Sequence, residues 1–301
     1  MIKDWCENLP KVKGSYLFNE KMDKYSWLNV GGNADVLYLP QDVEDLQNFL
    51  QNMPEDIPVT ILGNGSNILI RDGGIEGIVI KLASKCFKDI LIENETIWCG
   101  AGVKNIDLKK VLIDSEIGGL EFICSIPGSI GGLIKTNAGC FGAEISNVLV
   151  EAEVIDKKGN LLIVKPEDLK FAYRNSFFPN DWIITKVKIK GIKDSKENIC
   201  KILENQFSYR KQNQPQGIRT AGSTFKNPNG YKAWELIKNS EAHKLTVGGA
   251  GFSQKHCNFL INDGTATAKD IEELGEKTRL LVKNKTGIDL EWEIKILGKM
   301  E

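Results

Sequence analysis

The stretch Ala221-Gly-Ser-Thr-Phe-Lys-Asn-Pro228 places a hydroxyl, a cation and an amide within five residues, at Ser223, Lys226 and Asn227. A serine beside a positive charge and an amide can act as a proton donor next to an anion-binding corner. Two further segments carry groups that complete such a site. Phe171-Ala-Tyr-Arg-Asn-Ser176 offers Arg174 with Tyr173 beside it. Leu290-Glu-Trp-Glu-Ile-Lys-Ile-Leu-Gly298 offers Glu291 and Glu293, alternating with apolar residues. Arginine is scarce, at five residues against 34 lysines, and three of the five (174, 210 and 219) fall near these segments. A planar, permanently charged fork at such a site is not replaceable by lysine. Singly, each residue has a plainer reading. Ser223 reads as a turn hydroxyl, Arg174 as a surface ion-pair residue, and the two glutamates as the wet face of an edge strand. Only the three segments together point to catalysis.

Two glycine-rich segments supply a different chemistry. Gly63-Asn-Gly-Ser-Asn67 lies between two apolar runs and lacks the third glycine of a dinucleotide fingerprint, because Ile68 stands there. A strand follows it where a Rossmann site needs a helix, which disfavours that fold. Gly63, Asn64 and Gly65 can still turn successive N–H groups toward an anion, with Ser66 and Asn67 as side-chain donors. A tight turn is the competing reading. The second segment runs from Ser125-Ile-Pro-Gly-Ser-Ile-Gly-Gly132 into Lys135-Thr-Asn-Ala-Gly-Cys-Phe-Gly142. Pro127 presets one dihedral and Gly128 permits close backbone approach. Ser125, Ser129, Thr136 and Asn137 offer neutral hydrogen-bonding groups, with Ala138 and Gly139 beside them. Such a wall suits a large cofactor held mainly by backbone contacts.

The elements that must position these groups follow from periodicity. Strands are expected at Trp27–Pro40, Pro58–Gly63, 68–70 and Gly77–Leu82, with a helix over 42–52. A hairpin over 88–101, a helix over 103–114, a second hairpin over 148–164 and a strand at 182–189 follow. The glycine-dense stretch 118–142 is not one regular element. Polar Lys193-Asp-Ser-Lys-Glu197 marks a boundary and opens a helix carrying Ile199, Ile202, Leu203 and Phe207 on one face. Beyond it come strands near 222–226, 245–252 and 258–262, helices near 231–239 and 267–285, and a last strand over 289–297.

Composition narrows the class. The 301 residues are 42% hydrophobic and 26% charged, with 39 basic against 40 acidic side chains. That balance leaves no electrostatic footprint for nucleic acid or an anionic membrane. Seven scattered cysteines, no CxxC and only two histidines make a metal site unexpected, and free thiols in a reducing cytoplasm are the expectation. No stretch reaches the length of a membrane helix.

The three catalytic segments, in this order and spacing, resemble the UDP-N-acetylenolpyruvoylglucosamine reductase family over nearly the whole chain after residue 24. The glycine segments resemble the FAD-binding domain of the vanillyl-alcohol-oxidase and p-cresol-methylhydroxylase type. The resemblance implies an α+β fold: two FAD-binding subdomains at 1–85 and 86–192, then an α+β substrate domain at 193–301. It implies that non-covalent FAD, reduced by NADPH, passes hydride to an enolpyruvyl nucleotide sugar in peptidoglycan precursor synthesis. By resemblance, Ser223 protonates substrate, Arg174 stands at the flavin–substrate junction, and Glu293 is the catalytic carboxyl group. Lys211 and Asn227 match substrate contacts; Tyr173 and Arg219 are placed there by adjacency. His256 receives no catalytic role. Longer relatives carry a loop with a substrate-covering tyrosine after the Tyr-Arg pair; here it is absent. A cytoplasmic monomer without membrane or nucleic-acid partners is expected. The alternative is a different flavin-dependent sugar or hydroxy-acid oxidoreductase.

Overall fold

The computed structural model describes residues 3–301. The chain forms two compact units. The first comprises the residues up to Phe18 together with Val36–Asn64 and Gly77–Tyr209; the second comprises Asn19–Asp35, Gly65–Glu76 and Arg210–Glu301.

In the first unit the helix Val43–Asn52 begins where Asp42 accepts the Asp45 N–H, and it buries Leu46, Phe49 and Leu50. Its period-3.6 apolar stripe is the one the sequence shows. Val59–Ile61 pairs in parallel with Ile78–Ile80 within a four-stranded sheet of order Ser15–Lys21, Asn33–Leu39, Ile75–Ile80, Val59–Ile61. The glycine loop at 63 therefore leaves the carboxyl end of one parallel strand, and Lys81 leaves the end of its neighbour. An antiparallel five-stranded sheet runs Leu161–Val164, Leu149–Ile155, Ile183–Lys190, Thr96–Gly100, Ile90–Glu93. Both expected hairpins lie in it. The glycine-dense stretch divides into the short helices Glu121–Ser125 and Ile130–Thr136 and a small hairpin pairing Gly139 with Glu144.

The second unit has its own core, built on Leu28, Leu69, Ala221, Leu260, Ile271, Leu274 and Ile294. Its long helix, Ala268–Thr286, starts at a reciprocal Thr267–Asp270 capping box and stops at Gly287. Lys295–Leu297 pairs in parallel with Ile68–Ile70, and Ala250–Phe252 pairs antiparallel with Leu260–Asn262.

Three sequence expectations are corrected. The strand expected from Trp27 starts only at Asn33, because Asn29 (φ 53°) and Gly31 (φ 129°) turn the chain before it. Residues 222–226 and 289–294 are extended but form no continuous ladder. They meet at a single bridge, Phe225 with Trp292, and the last strand is only Lys295–Leu297. Strict alternation fails there too: Leu290 and Ile294 are buried, while Trp292 is only half-buried.

Candidate active site

The first unit presents Arg174 on a tight turn. Ala172 and Asn175 exchange two backbone hydrogen bonds of 3.0 Å, leaving Tyr173 and Arg174 at the tip. Arg174 has φ of 51°, a left-handed conformation unusual for a long side chain and one that collects at functional sites. Both ends of the turn are fastened to the second glycine segment. Asn137 Nδ2 donates to the Ala172 carbonyl (3.0 Å), and Ser176 Oγ donates to the Lys135 carbonyl (3.0 Å). Arg174 Nη2 itself donates to the Gly139 carbonyl at 2.7 Å, and its guanidinium stacks over Tyr173. Arg174, Tyr173, Ala138 and Gly139 thus form one connected group. Asn137 is nearly buried, at 2% exposure, which makes it the rigid link between the two segments.

Gly63, at the start of the first glycine segment, meets the second segment within the first unit. A methyl group on Gly63 would lie 3.0 Å from Ser129 Oγ. Bare backbone and a serine hydroxyl therefore face one place, which side chains on Gly63 would fill. Gly128 holds φ of 143°, and its carbonyl accepts the Asn105 N–H. Asn105 is fully buried and also donates through Nδ2 to the Ile126 carbonyl at 2.9 Å, so it grips the segment around Pro127. Lys81 Nζ donates to the Gly63 carbonyl at 2.5 Å. Burial, with the nearby charges of Lys88 and Lys104, lowers its pKa to about 8. Backbone, hydroxyl and ammonium form a donor set suited to a diphosphate, and it fits a flavin nucleotide. Two expected donors are turned elsewhere. Ser125 is buried with its hydroxyl on the Phe122 carbonyl, and Thr136 Oγ1 donates back to the Gly132 carbonyl. Asn64 stands next to Gly63 at half burial.

The second unit pairs the segment that carries Ser223 with the segment that carries Glu293. Ser223 precedes Thr224, whose carbonyl accepts the N–H of Glu293 at 2.8 Å. On the next residue pair, Lys226 N–H donates to the Glu291 carbonyl at 2.9 Å. The segment is fixed from the other side by Asn258. Its Oδ1 accepts the Phe225 N–H (3.0 Å), its Nδ2 donates to the Phe225 carbonyl (2.8 Å), and its own carbonyl accepts the Thr224 N–H. Asn67 ties the first glycine loop to the same place: Nδ2 donates to the Glu293 carbonyl at 3.1 Å, and its own carbonyl accepts the Lys295 N–H. Ser223 and Glu293 are half-buried, as are Ser66 and Asn67, and Gly65 is buried.

The remaining expected residues lie in this unit. Asn227 is exposed, with its carboxamide oxygen accepting the Ala233 N–H. Lys211 is exposed, and its carbonyl takes Lys255 Nζ. Arg219 is exposed and pairs through backbone with Asn262. His256 packs edge-on against Phe259, and burial lowers its pKa. Sequence reasoning missed Lys81, Asn105 and Asn258, and it read Asn137 only as a neutral hydrogen-bonding group of the glycine segment, not as the link to the Arg174 turn. Nothing local marks Lys81 among 34 lysines, and an asparagine alone reads as a turn residue.

Comparison with known proteins agrees with this geometry. Residues 34–165 match the FAD-binding domain family, and residues 214–297 match the C-terminal domain of UDP-N-acetylenolpyruvoylglucosamine reductase. The protein is thus an FAD-dependent oxidoreductase of α+β fold, as the glycine segments lead one to expect. Relatives with the name UDP-N-acetylenolpyruvoylglucosamine reductase include one from Orientia tsutsugamushi (strain Boryong), 46% identical over 97% of each chain. Another, from Paramagnetospirillum magneticum, is 44% identical over 98% of this chain and 96% of its own. The crystal structure of the Thermus caldophilus reductase superposes with a TM-score of 0.82 at 33% identity, covering 96% of this chain and 100% of that one. The chain belongs to the UDP-N-acetylenolpyruvoylglucosamine reductase family, and its reaction is reduction of the enolpyruvyl group of the nucleotide sugar to the muramate. Among the described residues, no helix is long and apolar enough to cross a membrane.

Proposed function

We propose that this reaction is carried by Arg174, Ser223 and Glu293. Bound FAD, reduced by NADPH, supplies the hydride to the terminal carbon of the enolpyruvyl group. Negative charge then grows on the neighbouring carbon and its carboxylate. Arg174, preset on its strained turn, supplies fixed positive charge to it. Ser223 delivers the proton that completes the new C–H bond, from one face. Glu293, half-buried beside it, acts as the acid that keeps the developing charge hydrogen-bonded. Tyr173, Lys211, Arg219 and Asn227 orient the nucleotide sugar. Gly63, Asn64, Gly65, Ser66, Asn67, Ser125, Pro127, Gly128, Ser129, Thr136, Ala138 and Gly139 form the walls that hold the flavin nucleotide without a covalent bond.

The observation that carries the reading is the backbone lock from Thr224 to Glu293, which sets Ser223 and the carboxyl group in a fixed register. The same proposal includes FAD subdomains at 1–85 and 86–192 and a substrate domain at 193–301. It also includes a monomer working in the cytoplasm without nucleic-acid or membrane partners. The test is anaerobic mixing of the NADPH-reduced protein with the enolpyruvyl nucleotide sugar, followed by flavin absorbance. Rapid reoxidation with formation of the muramate is expected. Flavin that stays reduced in the presence of that substrate would overturn the reading.

A further inference from the structure

Lys81 stands where the two parallel strands of the first unit end, beside the loop that begins at Gly63. Its ammonium donates to the Gly63 carbonyl at 2.5 Å. Ser129 Oγ lies against the bare face of the same glycine. Ligands of open α/β arrangements sit outside the carboxyl ends of such strands. We propose that Lys81 is the cation that holds the diphosphate of the flavin nucleotide, with the Gly63 carbonyl keeping its ammonium at the loop. This rests on the flavoprotein reading and deepens it. A wall of neutral donors and backbone N–H groups leaves two phosphate charges to be balanced, and a lysine is a suitable point charge for that task.

The surroundings give the proposal a distinctive pH signature. Burial and the charges of Lys88 and Lys104 disfavour the protonated amine, so its pKa falls to about 8. A diphosphate alongside favours the charged form and raises that pKa. The bound state therefore holds a proton that the flavin-free state gives up as pH rises through about 8. Affinity is greatest below that pH and declines above it, until the pKa of the bound state is reached.

The experiment measures flavin dissociation from the full-length flavoprotein, by serial dilution and the fluorescence of released FAD, between pH 7 and pH 10. For the wild type, Kd should rise by up to about tenfold per pH unit above pH 8. Lys81→Met should weaken binding about ten- to hundredfold at pH 7 and abolish the slope. Lys81→Arg, whose charge persists at alkaline pH, should keep tight binding with little slope. Thermal melts of the flavin-free proteins control for folding. A Lys81→Met protein that matches wild-type affinity and slope overturns the assignment of Lys81 while leaving the flavoprotein reading intact. A wild-type protein that binds no FAD overturns the flavoprotein reading itself, and this inference with it.

Discussion

Lys226, three residues after the candidate proton donor, places its ammonium against the carboxylate of Glu291. The lysine side chain is only 15% exposed, whereas that of Glu291 is 73% exposed. A cation near Ser223 is thus held by a carboxylate on the outer side of the segment. The sequence leaves Glu291 and Glu293 equivalent by alternation, and the structure separates them. Glu291 faces out and anchors a cation; Glu293 is half-buried and fixed by Thr224 and Asn67.

Glu293→Gln should therefore cost turnover heavily, by about 10²-fold or more, because the amide keeps a hydrogen-bond donor but has no acidic proton. Glu291→Gln should cost less than about tenfold. An ion pair with one exposed partner contributes little to stability, so its melting temperature should barely move. Steady-state kinetics and thermal melts on both variants decide this. A larger turnover defect at Glu291 would move the catalytic role to that residue.

Arg174→Lys should not behave as a conservative change. The turn that carries it is secured by Asn137 and Ser176 besides the guanidinium's own bond to Gly139. A lysine can occupy the same backbone, but it cannot both reach the Gly139 carbonyl and present a planar fork to a growing carboxylate charge. Turnover should drop about 10- to 100-fold with a smaller change in KM, since the charge in question develops during reaction. Wild-type turnover in this variant would make Arg174 a structural residue of the turn.

Asn258→Ala tests the scaffold under Ser223. It removes both side-chain partners of the Phe225 backbone, which is buried, as is Asn258 at 3% exposure. Each orphaned group carries a desolvation penalty, so a loss of about 2–4 kcal/mol is expected. Denaturant unfolding measures it. A loss below about 0.5 kcal/mol would show that water replaces the amide and that the segment is held elsewhere.

The contrast between residues 43–52 and 289–297 shows where the sequence is informative. The helix has a cap, Asp42, and a 3.6-residue stripe, and both are local. The C-terminal segment has an alternating pattern, yet only Lys295–Leu297 joins a ladder. Its earlier part follows the demands of Trp292, which packs on Phe225 and donates to Glu276, and whose ring occupies the space a side chain on Gly275 would need. The candidate residues could be singled out from the sequence because residue type limits chemistry. Their supports could not. Asn137 acts on a residue 35 positions away and Asn258 on one 33 away, and no local pattern encodes such partners. The inward turn of the Ser125 hydroxyl was hidden for the same reason, since a glycine-rich neighbourhood says nothing of which way a serine points.

Ser223→Ala separates proton delivery from every earlier step. The segment around the serine is held by neighbours, with Thr224 and Phe225 bonded through backbone to Asn258 and to residues 291–294. Thr224 Oγ1 adds an acceptor for the Leu260 N–H at 3.1 Å. Loss of the Ser223 hydroxyl should thus leave the fold and the position of Glu293 unchanged. Reduction of the bound flavin by NADPH involves no protonation of the sugar substrate, so its rate should stay near wild type. Reoxidation by the enolpyruvyl nucleotide sugar should slow by about 10²–10⁴-fold, the usual contribution of one positioned acid. Deuterium from solvent should still reach the product carbon, but without the facial preference that a fixed donor imposes. Stopped-flow measurement of each half-reaction, with NMR of product formed in D₂O, provides both readouts. Equal slowing of the two half-reactions, or unchanged facial preference, would return Ser223 to a structural hydroxyl.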